Sequence, residues 1–395
     1  MIIRHTGLVA VMAVLLLGIG GAAADEPESV TIGYVDRAGD PAHAPGHSYE
    51  GLHPKFSPSP YPGAELAVVD AKLAGQAAGM AFALEHVTLK EGDDASAAIR
   101  QLAQDRHVSA ILIDLPLDET EAAARSLTDQ PLALINARHR TTALRLTTCR
   151  SHLFHTIPSW DMLEDALAQA LAKRGWRRVL VIDSDDPEDK AVSAAFQASA
   201  AKFGLSVVGP KAFAPGTDPR DRDRNNPRLI TSEGDYDVVY IADHDGDFAR
   251  ALAYNTFLAR PVVGASGLVP TAWHPYWERQ GAPQLNHRFV RATGRPMSEV
   301  DWSTWAAVRA IIEAEIRSKA RNARDLLPAL LDPGLTLELY KGNAGSFRTW
   351  NRQLRQPILL ATESAVVGFA PVEGMLHQTN TLDTLGLDEP EFHCP

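Results

Sequence analysis

Short apolar runs alternate with amphipathic segments along most of this chain. Residues 30–35 form the first apolar run, and an Ala- and Leu-rich segment after it predicts a helix over 64–83. The alternation continues with helices predicted over 95–104, 119–127, 161–174, 190–203 and 247–258, and strands over 109–114, 132–136, 178–182, 206–208, 237–242 and 261–264. Apolar strands separated by helices are typical of parallel sheets covered on both faces. The pattern therefore predicts an α/β fold.

The strands fall into two series, which predict two doubly wound lobes. After residue 264 the pattern changes, with helices predicted over 301–318 and 326–331 and strands over 337–340 and 358–361. We interpret this part as chain that crosses back between the lobes. The predicted division is lobe one over 25–148 and 265–325, lobe two over 149–264 and 326–380, and a C-terminal tail over 381–395.

The N-terminus has the features of a secretory signal. Arg4 precedes an apolar run over 8–19, which is short for a membrane span, and three alanines at 22–24 supply a small-residue cleavage site. No cysteine follows the run to carry a lipid anchor. The sequence therefore predicts a signal peptide over 1–24 and a soluble secreted protein without membrane insertion.

Composition narrows the classes of function. A formal net charge of −11 argues against nucleic acid as a partner and suits a cationic ligand, although acidity also serves solubility alone. The chain lacks a nucleophile elbow, a phosphate loop and a dinucleotide-binding fingerprint. The sequence favours a binding protein over an enzyme, with no catalytic residue and no required cofactor.

Charged residues follow several predicted strands. Ligands of doubly wound sheets bind outside the carboxyl ends of the strands. In lobe one, Asp36 and Asp114 occupy such ends, and Arg138 lies just beyond another. These three residues are candidate ligand-binding groups.

Lobe two carries two acidic loops after its strands. Asp183 and Asp185 follow one strand, and Asp243 and Asp245 follow another. Carboxylate oxygens are the ligands that hard cations prefer, so these four residues are candidate metal ligands. The alternative is that aspartates in these loops only cap the helices that follow.

An aromatic stretch follows the last strand of the second series. Trp273, His274 and Tyr276 lie within four residues of one another and are candidates for stacking on a planar ligand. The alternative is that they pack between the lobes or at the hinge.

Several segments carry a family resemblance. They are ALRLTTCR at 143–150, GTDPR at 216–220, PVVGASGLVPTAWHP at 261–275, SFRTWNRQLRQPILLA at 346–361 and LDTLG at 382–386. With these segments the chain resembles the branched-chain-amino-acid-type periplasmic binding proteins. It is most similar to the subfamily of ABC-transporter substrate-binding proteins encoded beside PQQ-dependent alcohol dehydrogenase systems.

The resemblance implies a type I periplasmic binding fold, with two lobes joined by a multi-crossover hinge, and a periplasmic location for the soluble protein after signal-peptide cleavage. It also implies membrane and ATPase subunits of an ABC importer as partners. The ligand it implies is a lanthanide ion or complex, with calcium as a related hard cation. PQQ or another small organic ligand is one alternative, and a non-transport sensor or structural protein is another. The small hydroxyl residues with which the amino-acid binders hold their ligand are replaced here by Asp114 and Asn136, which argues against an amino acid.

The chain has two cysteines, Cys149 and Cys394. An even number of cysteines in an oxidising compartment commonly pairs, and both lie in or just after the segments that carry the resemblance. We therefore expect a disulfide that ties the tail near the interlobe crossover.

Overall fold

The computed structural model describes residues 27–43, 58–105, 108–216, 218–320 and 322–394. The predicted signal peptide over 1–24 lies outside the described residues. In the part of the chain that is described, no helix is both long enough and apolar enough to cross a lipid bilayer.

The first lobe is built on a five-stranded parallel sheet. Its strands are β1 (Glu28–Arg37), β2 (Met80–Leu89), β3 (Ala110–Asp114), β4 (Ala133–Asn136) and β5 (Leu153–His155), in the order β2-β1-β3-β4-β5. Between them run α1 (Tyr61–Ala77), α2 (Ala95–Asp105), α3 (Leu117–Ser126) and the short α4 (Ala143–Leu146). Every residue of β3 and β4 is buried, as expected for central strands covered on both faces.

The second lobe has a four-stranded parallel sheet. Its elements are α5 (Trp160–Arg174), β6 (Arg178–Asp183), α6 (Pro187–Lys202), β7 (Ser206–Ala212), α7 (Pro227–Ile230), β8 (Val238–Ile241), α8 (Asp247–Leu252) and β9 (Val262–Gly264). The strand order is β7-β6-β8-β9. Both sheets are doubly wound, so the predicted α/β fold with two such lobes is confirmed.

The remaining chain returns to both lobes. Its elements are β10 (Val269–Thr271), α9 (Ala282–Thr293), α10 (Glu299–Ser318), α11 (Ala323–Leu330), β11 (Ser346–Phe347), β12 (Leu354–Arg355), β13 (Ile358–Thr362) and β14 (Ala365–Ala370). Helices α9 and α10 pack on α1 of lobe one, whereas the β10-β13-β14 sheet packs on α5 of lobe two. As far as β14 the chain therefore passes between the lobes three times, which is the multi-crossover hinge.

Three elements differ from the sequence prediction. One is the helix predicted over 247–258, which ends at Leu252. The predicted helix over 64–83 is too long at its C-terminal end, because α1 ends at Ala77. Gly79 then adopts a left-handed φ of 71°, and the edge strand β2 begins at Met80. The predicted strand over 337–340 forms only an isolated bridge between Leu337 and Gly345. Local composition favoured a longer helix, and only pairing with β1 makes residues 80–89 a strand.

The lobe boundaries also differ in three places. Strand β10 pairs with β13 and packs on α5 of lobe two, although the predicted division gave residues 265–325 to lobe one. Strand β5 pairs with β4 in the lobe-one sheet, although the predicted division gave residues 149–264 to lobe two. Helix α11 packs on α10 and β4, whereas the division placed residues from 326 onward in lobe two. These segments are short, so periodicity alone does not assign them to a lobe.

Candidate functional site

The strand ends of both sheets place polar side chains where a cleft between two such lobes binds its ligand. Asp36, Asp114 and Asn136 are at the ends of β1, β3 and β4. Asp183 ends β6 in lobe two. The predicted site residues at strand ends therefore occupy the expected edge of each sheet.

The lobe-one edge holds a buried network of ion pairs around Asp114. Asp114 accepts a hydrogen bond from the Tyr34 hydroxyl at 2.8 Å, and its Oδ2 lies 2.9 Å from Nε2 of His43. Arg138 donates to Asp114 Oδ1 at 3.3 Å and to both oxygens of Asp40, at 2.6 and 3.2 Å. Burial alone would raise the pKa of Asp114, but the hydrogen bond from His43 and the charge of Arg138 hold it below its usual value.

This network limits the ability of Arg138 to bind an anionic ligand. Its guanidinium faces two carboxylates, and both are nearly inaccessible to solvent. A ligand carboxylate would have to displace one of those pairs, which leaves a buried charge uncompensated. Arg138 is therefore part of a neutralised wall of the cleft and offers little to an anionic ligand.

Asp36 faces a different cavity of lobe one. Its Oδ2 lies 2.9 Å from Nε2 of His86, and the His86 ring stacks on Tyr61 with centroids 4.1 Å apart. These three residues line a groove of about 810 Å³ that also includes Arg288 of α9. Asp36 is nevertheless the register partner of Asp114 between β1 and β3, and the ring of Tyr34 lies edge-on to that of His86 with centroids 5.3 Å apart. The two aspartates are therefore neighbours with different side-chain partners.

The four candidate metal ligands of lobe two do not share one set of contacts. Asp183 is paired with Lys190 at 2.9 Å, and Asp185 is exposed. Asp243 accepts hydrogen bonds from two backbone amides at the start of α8, at 3.0 and 2.8 Å. Asp245 is exposed beside His244, whose Nε2 is 3.4 Å away.

A cluster that the sequence analysis missed lies between these loops. It consists of Asp186, Asp189 and His244, and one ligating atom of each lies within 4.8 Å of the others. Nδ1 of His244 is 2.9 Å from Asp189 and 3.5 Å from Asp186. Burial alone would lower the pKa of His244, but the hydrogen bond to Asp189 and the charge of Asp245 raise it. The sequence signal was present in the run of acidic residues after β6, but it did not show which residue meets the histidine.

The cluster opens into a cavity of about 490 Å³ at the cleft edge of lobe two. One wall is apolar, where Phe213 and Phe248 stack with centroids 4.6 Å apart. The carboxylates that line the cavity are those of Asp186, Asp189, Asp243, Asp245 and Asp247, against the single guanidinium of Arg250 among its described lining residues. Such a lining attracts a cation.

The aromatic stretch does not form one stacking surface. Trp273 is only 3% exposed and packs in the lobe-one core, where its ring lies parallel to that of Trp302 at 6.0 Å. His274 is partly buried, which lowers its pKa, and its ring lies 5.6 Å from that of Tyr276. Tyr276 is half exposed and lines a separate groove beside β14. The stretch therefore contributes more to packing than to a common site.

The disulfide between Cys149 and Cys394 is present, with the two Cα atoms 6.0 Å apart. It attaches the C-terminal tail to the segment between α4 and β5. This agrees with the expected pairing of the two cysteines.

Comparison with known proteins agrees with this architecture. Residues 58–252 match the family model described as periplasmic binding protein. None of the curated proteins matches the chain.

Solved structures of periplasmic binding proteins share the fold. A branched-chain amino acid ABC transporter protein from Rhodospirillum rubrum has a TM-score of 0.68 at 17% identity, covering 86% of this chain and 100% of that one. An ABC transporter substrate-binding protein from Desulfitobacterium hafniense, in complex with Leu, has a TM-score of 0.63 at 17% identity, with 86% and 99% covered. A solute-binding protein of an ABC transporter from Rhodopseudomonas palustris, in complex with 3,4-dihydroxybenzoic acid, has a TM-score of 0.63 at 14% identity, with 86% and 94% covered. The chain therefore has the type I periplasmic binding fold, and its residues 58–252 are similar to the periplasmic binding protein family.

Proposed function

We propose that this chain is the solute-binding receptor of an ABC importer and that it captures a lanthanide ion or a complex of one. Its partners would then be the membrane and ATPase subunits of the transporter. The choice of a cation rests on the acidic cavity of lobe two. Five aspartates and one arginine are among the described residues that line it. Large hard cations bind through several carboxylate oxygens, and a cavity lined by separate loops adapts to such an ion.

The environment of the candidate residues argues against the main alternative, PQQ or another organic anion. Arg138 is already paired with Asp40 and Asp114. The ring of Trp273 is covered by the lobe-one core. An anion at the acidic edge of lobe two would also be repelled by the aspartates there.

The test is calorimetric titration of the purified chain with lanthanum, calcium and PQQ side by side. We expect lanthanum to bind, calcium to bind more weakly because of its lower charge, and PQQ to give no saturable heat. Saturating lanthanum should also reduce the radius of gyration in small-angle scattering, since ligand closes the lobes of such a fold by a hinge motion.

A pair of double variants makes the test specific to the cavity. Asp186→Asn with Asp245→Asn should weaken lanthanum binding at least tenfold, about 1.4 kcal/mol. Asp235→Asn with Asp332→Asn removes the same charge from exposed positions away from the cavity and should leave the affinity within about twofold, since distant surface charges are screened. Saturable PQQ binding without lanthanum binding would reject the proposal.

A further inference from the structure

Asp186, Asp189 and His244 bring a nitrogen donor and two carboxylates together from separate elements. Asp186 and Asp189 belong to the start of α6, and His244 belongs to the loop between β8 and α8. Their ligating atoms lie within 4.8 Å of one another. Nδ1 of His244 lies 2.9 Å from Asp189 and 3.5 Å from Asp186, close to the roughly 3.4 Å that separates two tetrahedral ligand atoms bound to one ion at about 2.0–2.2 Å.

Helix capping accounts for only one of these side chains. Asp186 is the N-cap of α6 and accepts a hydrogen bond from the Glu188 amide at 2.8 Å. Asp189 has another role, because its oxygens accept from Ser184 Oγ at 2.5 Å and from the His244 amide at 2.7 Å. The Asp189 carboxylate is 2% exposed and held from both sides. The donors are thus ordered before any ligand arrives, which lowers the entropy cost of binding.

The second nitrogen of the histidine also has a partner. Nε2 of His244 lies 3.4 Å from Asp245. Histidines that bind a metal through one nitrogen commonly direct the other toward a carboxylate, which fixes the ring and strengthens the ligand. Nδ1 of His244 is turned toward Asp186 and Asp189, so an ion bound there would be held by an imidazole whose other nitrogen lies beside the Asp245 carboxylate.

We infer that Asp186, Asp189 and His244 form a metal site that takes a borderline divalent cation such as Zn²⁺. The inference rests on the proposed function in one respect, since it places a cation in the same acidic cavity. It differs in the class of ion: an imidazole nitrogen beside carboxylates suits zinc, whereas a lanthanide prefers oxygen donors alone. Zinc binding should therefore depend on His244, whereas the carboxylates can bind either zinc or a lanthanide.

The experiment is a titration of the purified chain with ZnCl₂ and, separately, LaCl₃. In His244→Gln the zinc affinity should fall at least tenfold, while lanthanum affinity changes by less than about threefold, because Gln supplies an oxygen but no imidazole. Asp186→Asn should weaken the binding of both zinc and lanthanum. His287→Gln, an exposed histidine on α9, is the matched control and should change neither.

The possible results test the zinc site and the proposed lanthanide ligand separately. Zinc that fails to bind the wild-type chain, or that binds His244→Gln as tightly as wild type, overturns the site. Zinc binding that depends on His244, with no lanthanum binding, supports the site and rejects the lanthanide as ligand. Circular dichroism shows whether each variant folds. If His244→Gln does not fold, the zinc affinity of Asp186→Asn tests the site instead, and its loss supports the site.

Discussion

Among single residues, Glu164 is a buried carboxyl group whose desolvation is offset only in part, by the Tyr240 hydroxyl. It lies in the first turns of α5 and is 3% exposed, and its Oε2 has no hydrogen-bond partner among the described residues. Burial raises the pKa of Glu164 to about 8. At neutral pH the folded protein therefore holds this side chain mainly as the neutral acid.

The raised pKa predicts a dependence of stability on pH. An unfolded glutamate releases its proton near pH 4.3, so between that pH and about 8 the folded state binds a proton that the unfolded state has lost. The contribution of Glu164 is complete below about pH 4.3 and decreases by about 1.4 kcal/mol per pH unit up to the folded pKa. Glu164→Gln removes this titration, so the variant should gain stability relative to wild type as pH rises from 5 to 8.

Urea denaturation at pH 5, 6, 7 and 8 measures this difference. Glu363→Gln, an exposed glutamate in the turn between β13 and β14, serves as the control and should show no trend. A difference between Glu164→Gln and wild type that stays constant with pH would contradict the raised pKa.

At the scale of elements, the packing of α1 on α10 depends on Gly63. A Cβ atom at this position would lie 2.3 Å from the backbone oxygen of Asp301. Asp301 is itself fixed, because it forms a capping box with Ser298 and an ion pair with Arg295. The start of α10 therefore cannot shift away without losing these contacts.

Gly63→Ala should destabilise the protein by about 1–3 kcal/mol, the usual cost of overpacking. Alanine favours a helix over glycine by about 1 kcal/mol at most, which does not offset a clash with backbone. Thermal unfolding of this variant is compared with that of Gly368→Ala on β14, where an added Cβ meets nothing within 4 Å. Equal melting temperatures for the two variants would show that α1 can move aside.

Across the whole molecule, the C-terminal tail connects the two lobes. In the tail, the Gly386 amide donates a hydrogen bond to Asp165 of α5, and its carbonyl accepts one from Lys202 of α6. Both helices belong to lobe two. The disulfide then attaches Cys394 to Cys149, which precedes β5 of the lobe-one sheet. The tail is thus tied to both sides of the hinge.

Removal of this disulfide should lower the free energy of unfolding. Cys149→Ser with Cys394→Ser opens a loop of 245 residues, and loss of a native disulfide typically costs about 2–5 kcal/mol. Guanidinium denaturation of the double variant and wild type measures the loss, and thiol titration of the unfolded, unreduced wild type should find no free thiol. Two free thiols in the wild type, or unchanged stability in the variant, would be inconsistent with the link.

The fold could be predicted from the sequence because its signals are local. A buried strand such as β3 is a continuous apolar run, and α5 shows its N-cap Ser159 and its terminal Gly175 directly. The even pair of cysteines and the acidic loops were also visible in the sequence. These features sufficed for two doubly wound lobes, the disulfide and an acidic edge of lobe two.

The partners of the charged residues were decided only by the tertiary structure. Arg138 meets Asp40 across 98 residues, and His244 meets Asp189 across 55. Asp183 and Asp243, alike in sequence, differ because one lies beside a lysine and the other beside the free amides of a helix start. Secondary structure follows from periodicities within a few residues, whereas a carboxylate becomes a cap, an ion-pair partner or a ligand according to which distant group folding brings within about 3 Å.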